Sequence, residues 1–476
     1  MPKSALYTAE QLSGLVKEDL IQIILDQQDR IGRIEDTQQE LTDKVMGLVR
    51  ASKRQAAPFG KSRKAAKKGS PRKFAVGRPV GHRGSYRKPP VEVADEEVEV
   101  PLCRCPVCQG PLSDKRPLDQ CIEELPQVRH LLIKLRTWEG KCKNCGPVRS
   151  THPLQVSAAQ GAARTHLGAR AVQTILELKH EFGLSMRKIA SYLATTYGLS
   201  ITPGGIAQLI KRMGGKLETN YETLRRQAQQ ASLLHADETG WFVGARAWLW
   251  VFTNPDLTLF EVSDNRSVDT LNDFLGEHFT GVMVSDCWWA YETFAVEQQK
   301  CYAHHLKLVS EAIELKPRSV VLPRIKAFLQ DAIQLKKQRD LVSSRHYWQE
   351  VSKLEDRADR LFKTQKGAKG KLILAPPPKG ENNYGRTDRQ LLMRIARRRS
   401  HLLTMLYRDE VPSTNNLAER QLRPAVIDRK LSCGNRTWAG ARAWQVIKSL
   451  IVTHKQRGED FGPTVRAALK VQHTLR

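Results

Sequence analysis

With 476 residues, 40% of them apolar, the chain is long enough for several domains and at least one sizeable core. Lys and Arg outnumber Asp and Glu by 77 to 50, and the resulting net charge of +27 favours a polyanion, nucleic acid above all, as partner. No apolar run nears the roughly 20 residues of a membrane span and no secretory apolar core precedes Glu10; the 9 cysteines are therefore expected as reduced thiols or metal ligands in a cytoplasmic, nucleoid-associated protein without membrane contact.

Residues 8–49 read as one long helix. Ile24, Ile31, Gln38 and Val45 fall on one heptad position and Leu20, Gln27, Ile34, Leu41 and Leu48 on the other, the pattern of a coiled coil that makes a homo-oligomer, dimer or higher. A helix packed on its own catalytic domain is the alternative. From Ala51 to Pro90 there are 13 basic residues and no acidic one, too polar to bury a core, so a disordered linker is expected. Within it Gly77-Arg78-Pro79 has the form of an extended arm for an A·T-rich minor groove, with Arg78 as the contact. A generic phosphate-binding linker and a nuclear address are the alternatives.

Two C-x-x-C knuckles follow, Cys105 with Cys108 and Cys142 with Cys145, separated by an interval read as strand-rich around His130 to Leu135. Four thiolates so spaced suit tetrahedral Zn²⁺, which staples a module too small to fold alone. Cys103 and Cys121 leave the ligand set open, and redox-active pairs are the competing reading.

Helices are expected over 169–182, 185–197 and 203–213, with a glycine turn between the last two. That is helix-turn-helix spacing, and Lys188, Lys211 and Arg212 are its candidate DNA contacts; an ordinary three-helix packing unit is the alternative.

The run Leu233-Leu234-His235-Ala236-Asp237 reads as a short buried strand that delivers a carboxylate at its end, and Val282-Met283-Val284-Ser285-Asp286 repeats the design. Between them lie two strands, 247–252 and 257–262, and a helix near 268–275. Strand, strand, strand, helix, strand is the order of a ribonuclease-H-like core. Cys301-Tyr302-Ala303-His304-His305 suggests a metal site, but without a complementary ligand pair nearby in sequence it is read as a short strand whose histidines pack or touch phosphate. The stretch from Leu306 to Met405 is long, helical and basic, an insertion that shapes a DNA channel or, alternatively, a solvated hairpin. In Asn415-Asn416-Leu417-Ala418-Glu419, Asn415 is expected to cap the helix that presents Glu419, and Pro424 to kink it or end it early.

Phosphodiester cleavage and strand transfer need charge neutralised on the attacking and leaving oxygens, which two Mg²⁺ (or Mn²⁺) held by hard carboxylate oxygens accomplish. Asp237 is the candidate bridging ligand, Asp286 completes one metal's shell and Glu419 the other's, with Glu238 and Glu410 read as bystanders.

His-Ala-Asp-Glu-Thr at 235–239, Val-Ser-Asp at 284–286, Cys-Tyr-Ala-His at 301–304 and Asn-Asn-Leu-Ala-Glu-Arg-Gln-Leu-Arg-Pro at 415–424 resemble the transposases of insertion-sequence family 66, which are DDE enzymes. The resemblance covers nearly the whole chain and implies that Asp237, Asp286 and Glu419 are a catalytic triad that cuts insertion-sequence ends and joins them to target DNA. It departs from the family pattern at Cys287-Trp288-Trp289, where a glycine and tyrosine usually follow the aspartate, and at Lys430 to Asn435. Many relatives act with small accessory proteins of the same element. A catalytically inactive DNA-binding relic or repressor of the same descent, and a zinc-stabilised interaction protein, are the rival readings.

The fold so expected is multidomain α/β. It comprises a coiled-coil helix (1–50), a basic disordered linker (51–100), a zinc-binding module (101–150) and a helical helix-turn-helix-like DNA-binding domain (151–228). A ribonuclease-H-like mixed β-sheet core follows (229–305), then a helical basic insertion (306–411), and the second part of the core with the C-terminal helices (412–476).

Overall fold

The computed structural model describes residues 95–113, 116–118, 122–157, 166–276, 279–294, 296–366, 372–377 and 385–470, with Val16, Ile21 and Gln28. The heptad seam and the basic linker with Arg78 otherwise lie outside the described residues. Two compact units divide at Glu123 and Glu124. In the first, the described chain turns at Cys105, whose N–H donates to the Gly110 carbonyl at 3.0 Å while its own carbonyl accepts the Gln109 N–H at 2.9 Å.

The second unit opens with a hairpin, β1 (Glu139–Cys142) and β2 (Gly146–Arg149), paired antiparallel. The expected strand at 130–135 is not formed. Those residues are exposed without a ladder, and the His130 N–H donates instead to the Tyr197 carbonyl at 2.8 Å.

Four helices come next, α1 (Ala169–His180), α2 (Met186–Tyr197), α3 (Pro203–Lys216) and α4 (Glu218–Gln229). Their boundaries follow local chemistry. Ser185 and Thr202 accept N–H bonds as N-caps, Pro203 occupies the first turn of α3, and Gly198 closes α2 in the left-handed region at φ 66°.

The five-stranded sheet is built from β3 (Leu233–Phe242), β4 (Arg246–Thr253), β5 (Thr258–Ser263), β6 (Val282–Ser285) and β7 (Gln298–Lys300), ordered β5-β4-β3-β6-β7. The first three strands meander antiparallel, whereas β6 and β7 run parallel to β3. Helix α5 (Val268–Leu275) makes the crossover from β5 to β6, and the short α6 (Trp289–Thr293) leads to β7.

Beyond β7 come α7 (Tyr302–Leu315), α8 (Val321–Lys337), α9 (Ser344–Leu361), the small hairpin β8 (Thr364–Lys366) and β9 (Leu372–Leu374), α10 (Arg386–Ala396) and α11 (Thr404–Tyr407). The chain then returns to the sheet through α12 (Asn416–Ser432), α13 (Trp438–Arg457) and α14 (Gly462–Leu469).

Alternation along the strands sorts the core. Trp250 and Phe252 of β4 point into one cluster with Leu234, Ala236, helices α1–α5 and helices α13–α14. Their neighbours Leu249 and Val251 point into another with Trp241 and, from α12, Ala418, Leu422 and Ala425. A third cluster joins Leu233, Val282 and Val284 to helices α7–α11. The helical segment before residue 229 therefore shares one core with the sheet, fastened by a buried ion pair between Lys179 and Asp428 at 2.8 Å.

The edge strand β5 is closed by a helix. Gln445, Ser449 and Thr453 of α13 accept the N–H groups of Val262, Phe260 and Thr258 at 3.0, 2.9 and 3.0 Å. Four residues of helix rise about 6.0 Å and two of strand about 6.6 Å, so one polar stripe tracks every second N–H and blunts an edge that would otherwise template pairing. Among the described residues no helix is long and apolar enough to cross a membrane.

Candidate active site

The sheet outruns itself at Asp237. The parallel pairing of β3 with β6 runs from Leu233 opposite Val282 to His235 opposite Val284, and β6 stops at Ser285. Strand β3 continues to Phe242 on β4 alone. Asp237 is thus within its strand, and not at its end as the sequence suggests, and lies just past the last residue that β3 pairs with β6. Two more steps of register bring it opposite Asp286.

Asp237 Oδ1 accepts the Glu238 N–H at 2.9 Å, and Asp286 Oδ1 accepts the Trp288 N–H at 2.8 Å. Glu419 stands in the first turn of α12, half-buried. Burial, and then the charges of Glu238, Asp286 and Glu419, hold the Asp237 carboxyl well above the usual carboxylate range, opposed by the Glu238 N–H bond. The charges of Asp286 and Glu419 thus both reach Asp237, although 49 and 133 positions separate the three in sequence, while among the described residues the ligand atoms grouped within 4.8 Å of Glu419 are those of Cys301 and His304 and not of either aspartate.

Asn415 makes this convergence. The expected side-chain cap is absent. Its buried side chain instead accepts from His235 Nδ1 at 3.0 Å and donates to the Ala236 carbonyl at 2.8 Å. Its backbone N–H donates to Cys301 Sγ at 3.2 Å, and its carbonyl accepts the Glu419 N–H at 3.2 Å. One residue ties β3, the end of β7 and the start of α12 together. Burial lowers the His235 pKa, opposed by the Asn415 bond. Pro424 does not end α12, which runs on to Ser432 with Ala418, Leu422, Ala425 and Asp428 buried, so tertiary packing outweighs one missing N–H.

Glu238 and Glu410, alike in sequence as bystanders, differ in the structure. Glu410 is exposed, whereas the Glu238 side chain is 1% exposed, on the opposite side of β3 from Asp237. Its carboxylate accepts from Arg266 Nε at 2.8 Å and from the Tyr291 hydroxyl. Arg266 in turn lies over the Trp288 ring at 3.7 Å and the Trp248 ring at 4.8 Å. This stack holds the loop after Asp286, so Glu238 is a buried support of the site.

The segment after β7 corrects the sequence reading. The strand ends at Lys300, Cys301 occupies the N-cap position of α7, and the helix begins at Tyr302. The thiol of Cys301, the imidazole of His304 and the carboxylate of Glu419 offer ligand atoms that all lie within 4.8 Å of one another. His304 Nδ1 is buried without a hydrogen-bond partner, 3.9 Å from Glu419 Oε1. His305 turns away, its Nε2 at 3.4 Å from Cys287 Sγ, and its pKa is pushed down to about 3 by burial and then by Arg394. A C-x-x-H at a helix start places both donors on one helical face, and that spacing was the available signal.

Each cysteine knuckle is a tight turn that stabilises thiolate. Backbone N–H groups of Cys108 and Val107 lower the Cys105 pKa, and those of Cys145 and Asn144 lower that of Cys142. Lys188 on α2 and Lys211 and Arg212 on α3 are exposed.

The fold is that of a mixed α/β protein, with Asp237 and Asp286 just past the last parallel pair of β3 and β6. The model of the transposase IS66 family matches residues 164–443, more than half of the chain, and the chain belongs to that family. It is also similar to the uncharacterized protein y4qI of Sinorhizobium fredii (strain NBRC 101917 / NGR234), at 24% identity over 318 residues, 59% of this chain and 55% of that protein. The chain thus spans about half the length of that relative.

Proposed function

We propose that the protein is a DNA transposase that performs metal-dependent cleavage and strand transfer of insertion-sequence ends, with Asp237, Asp286 and Glu419 as its catalytic carboxylates. The observation that supports this reading is that Asp286, just after β6, and Glu419, in the first turn of α12, both act electrostatically on Asp237 of β3. Family membership supports the reading. So does the strand order, in which two parallel strands follow a three-stranded meander, the arrangement of a ribonuclease-H-like core.

Hard oxygen donors that repel one another fit Mg²⁺ or Mn²⁺. Asp237 and Asp286 would hold one ion, Asp237 and Glu419 the other. The chemistry supplied by ions bound there is neutralisation of the charge on attacking and leaving oxygens of an in-line phosphodiester displacement. The chain's own contribution is positioning. Asn415 fixes α12 against β3, and the Glu238–Arg266–Trp288 stack fixes the loop that carries Asp286.

Exposed Lys188, Lys211 and Arg212, with Arg78 in the basic segment, are the proposed DNA contacts, the partners being terminal repeats and target DNA. Self-association through residues 1–50 pairs the ends, accessory proteins of the same element take part, and each C-x-x-C turn supplies two thiolates suited to Zn²⁺. The rival reading, an inactive repressor, is disfavoured by three intact carboxylates in a supported geometry. Incubating the protein with DNA that flanks its gene tests the choice. Cleaved and joined products that require Mg²⁺ and vanish in Glu419→Gln are expected, and sequence-specific binding without cleavage would favour the repressor.

A further inference from the structure

Sulfur and nitrogen beside a site of hard oxygens call for a separate account. Cys301 Sγ, His304 Nδ1 and a Glu419 carboxylate oxygen lie within 4.8 Å of one another. Two ligand atoms on one tetrahedral zinc ion stand roughly 3.4–3.6 Å apart, from bonds of about 2.3 Å to sulfur and about 2.1 Å to nitrogen or oxygen at angles near 109°. The His304–Glu419 pair, at 3.9 Å, is close to that spacing, and the set as a whole closes with a contraction of at most about 1.2 Å, which falls on the partly exposed side chains of His304 and Glu419.

His304 Nδ1 adds an independent sign, since it is buried and has no hydrogen-bond partner. A buried polar atom costs stability unless something satisfies it. Cys301 Sγ is held from behind by the Asn415 N–H at 3.2 Å, and Asn415 is itself locked to β3, so the sulfur and the Glu419 helix start are fixed to one another.

We propose that Cys301, His304 and Glu419 bind a borderline divalent ion of the Zn²⁺ or Co²⁺ class, with solvent as the fourth ligand. Thiolate and imidazole select such ions over Mg²⁺, which demands oxygen donors in octahedral array. On binding, the Cys301 thiol proton leaves to solvent. The site shares only Glu419 with the proposed acidic centre. An ion held by sulfur and nitrogen draws Glu419 away from the hard ions, so Zn²⁺ is expected to compete with Mg²⁺.

The test is a titration of metal-free full-length protein with Co²⁺ in excess Mg²⁺, read by bound cobalt and by thiolate-to-cobalt absorption. The C-x-x-C thiolates contribute a background, so the comparison is between the parent, Cys301→Ser and His304→Gln. Each variant is expected to bind about one equivalent less Co²⁺, and Cys301→Ser to lose the corresponding thiolate absorption. Variants that bind as much Co²⁺ as the parent with superimposable spectra overturn the proposal. If Cys301→Ser fails to fold, His304→Gln, at a partly exposed position, decides alone. A protein that loses this equivalent in His304→Gln yet never cleaves DNA keeps the inference and drops the transposase reading. Cleavage with no such loss does the reverse.

Discussion

Replacing Asp237 by Asn is expected to make the metal-free protein more stable while removing its response to Mg²⁺. An asparagine keeps the 2.9 Å bond from the Glu238 N–H, because its Oδ1 is also an acceptor, so shape and contact survive and only a charge is removed. The folded-state carboxyl is raised by burial and by Glu238, Asp286 and Glu419. The unfolded chain therefore ionises Asp237 at lower pH than the folded one does. The penalty is absent below about pH 4, grows as pH rises through the interval up to the folded value, and is full above it.

Every pH unit in that interval costs about 1.4 kcal/mol at neutral pH. A cation at 100 times its Kd returns about 2.7 kcal/mol, or roughly 5 °C at about 2 °C per kcal/mol for a unit of this size. Thermal melts with and without Mg²⁺, at neutral pH and near pH 4, provide the assay. Metal-free Asp237→Asn should melt above the parent at neutral pH, the gap should close near pH 4, and the Mg²⁺ shift should disappear. A variant that melts below the parent at neutral pH, or keeps the full Mg²⁺ shift, refutes the reasoning.

Other perturbations test the frame around the site. Lys179→Met leaves the buried Asp428 with hydrogen bonds from Trp444 and Ser432 and the nearby charge of Lys448 but no direct ion-pair partner, and urea unfolding should show a loss of about 3 kcal/mol. Gly214→Ala would place a Cβ 2.6 Å from the Ala443 Cα, forcing α3 and α13 apart at a cost of about 1–3 kcal/mol by the same measurement. Changing Lys188, Lys211 and Arg212 together to Gln should flatten the salt dependence of DNA binding by about 0.9 in slope for each phosphate that the protein no longer neutralises, measured by fluorescence anisotropy across salt concentrations.

Much of the helical segment and the sheet was legible because local signals agreed there. The helix starts at 185 and 203, the glycine turn between those helices and the two strands at 247–252 and 257–262 fall within a residue or two of where propensity and periodicity put them. What sequence hid was tertiary. Asn415 looks like a cap, but its side chain meets His235 from 180 positions away, and no local rule foresees that choice. Glu238 and Asp237 are neighbours in sequence, yet the period of two sends one to Arg266 and the other to the open site. Gln445, Ser449 and Thr453 are polar residues in a buried helix, and their purpose is visible only once β5 is known to be an edge. The apolar run at 130–135 misled because composition without a partner strand makes no ladder.

The central claim is that three carboxylates jointly drive DNA cleavage and joining, and Asp286→Asn tests it most directly. The substitution preserves the acceptor for the Trp288 N–H, so the loop should hold and DNA should still bind. Measured on DNA bearing the element ends in Mg²⁺, the rate of cleavage and strand transfer should fall by orders of magnitude while affinity for the ends stays at the parental value. An Asp286→Asn protein that cuts and joins at the parental rate contradicts the account.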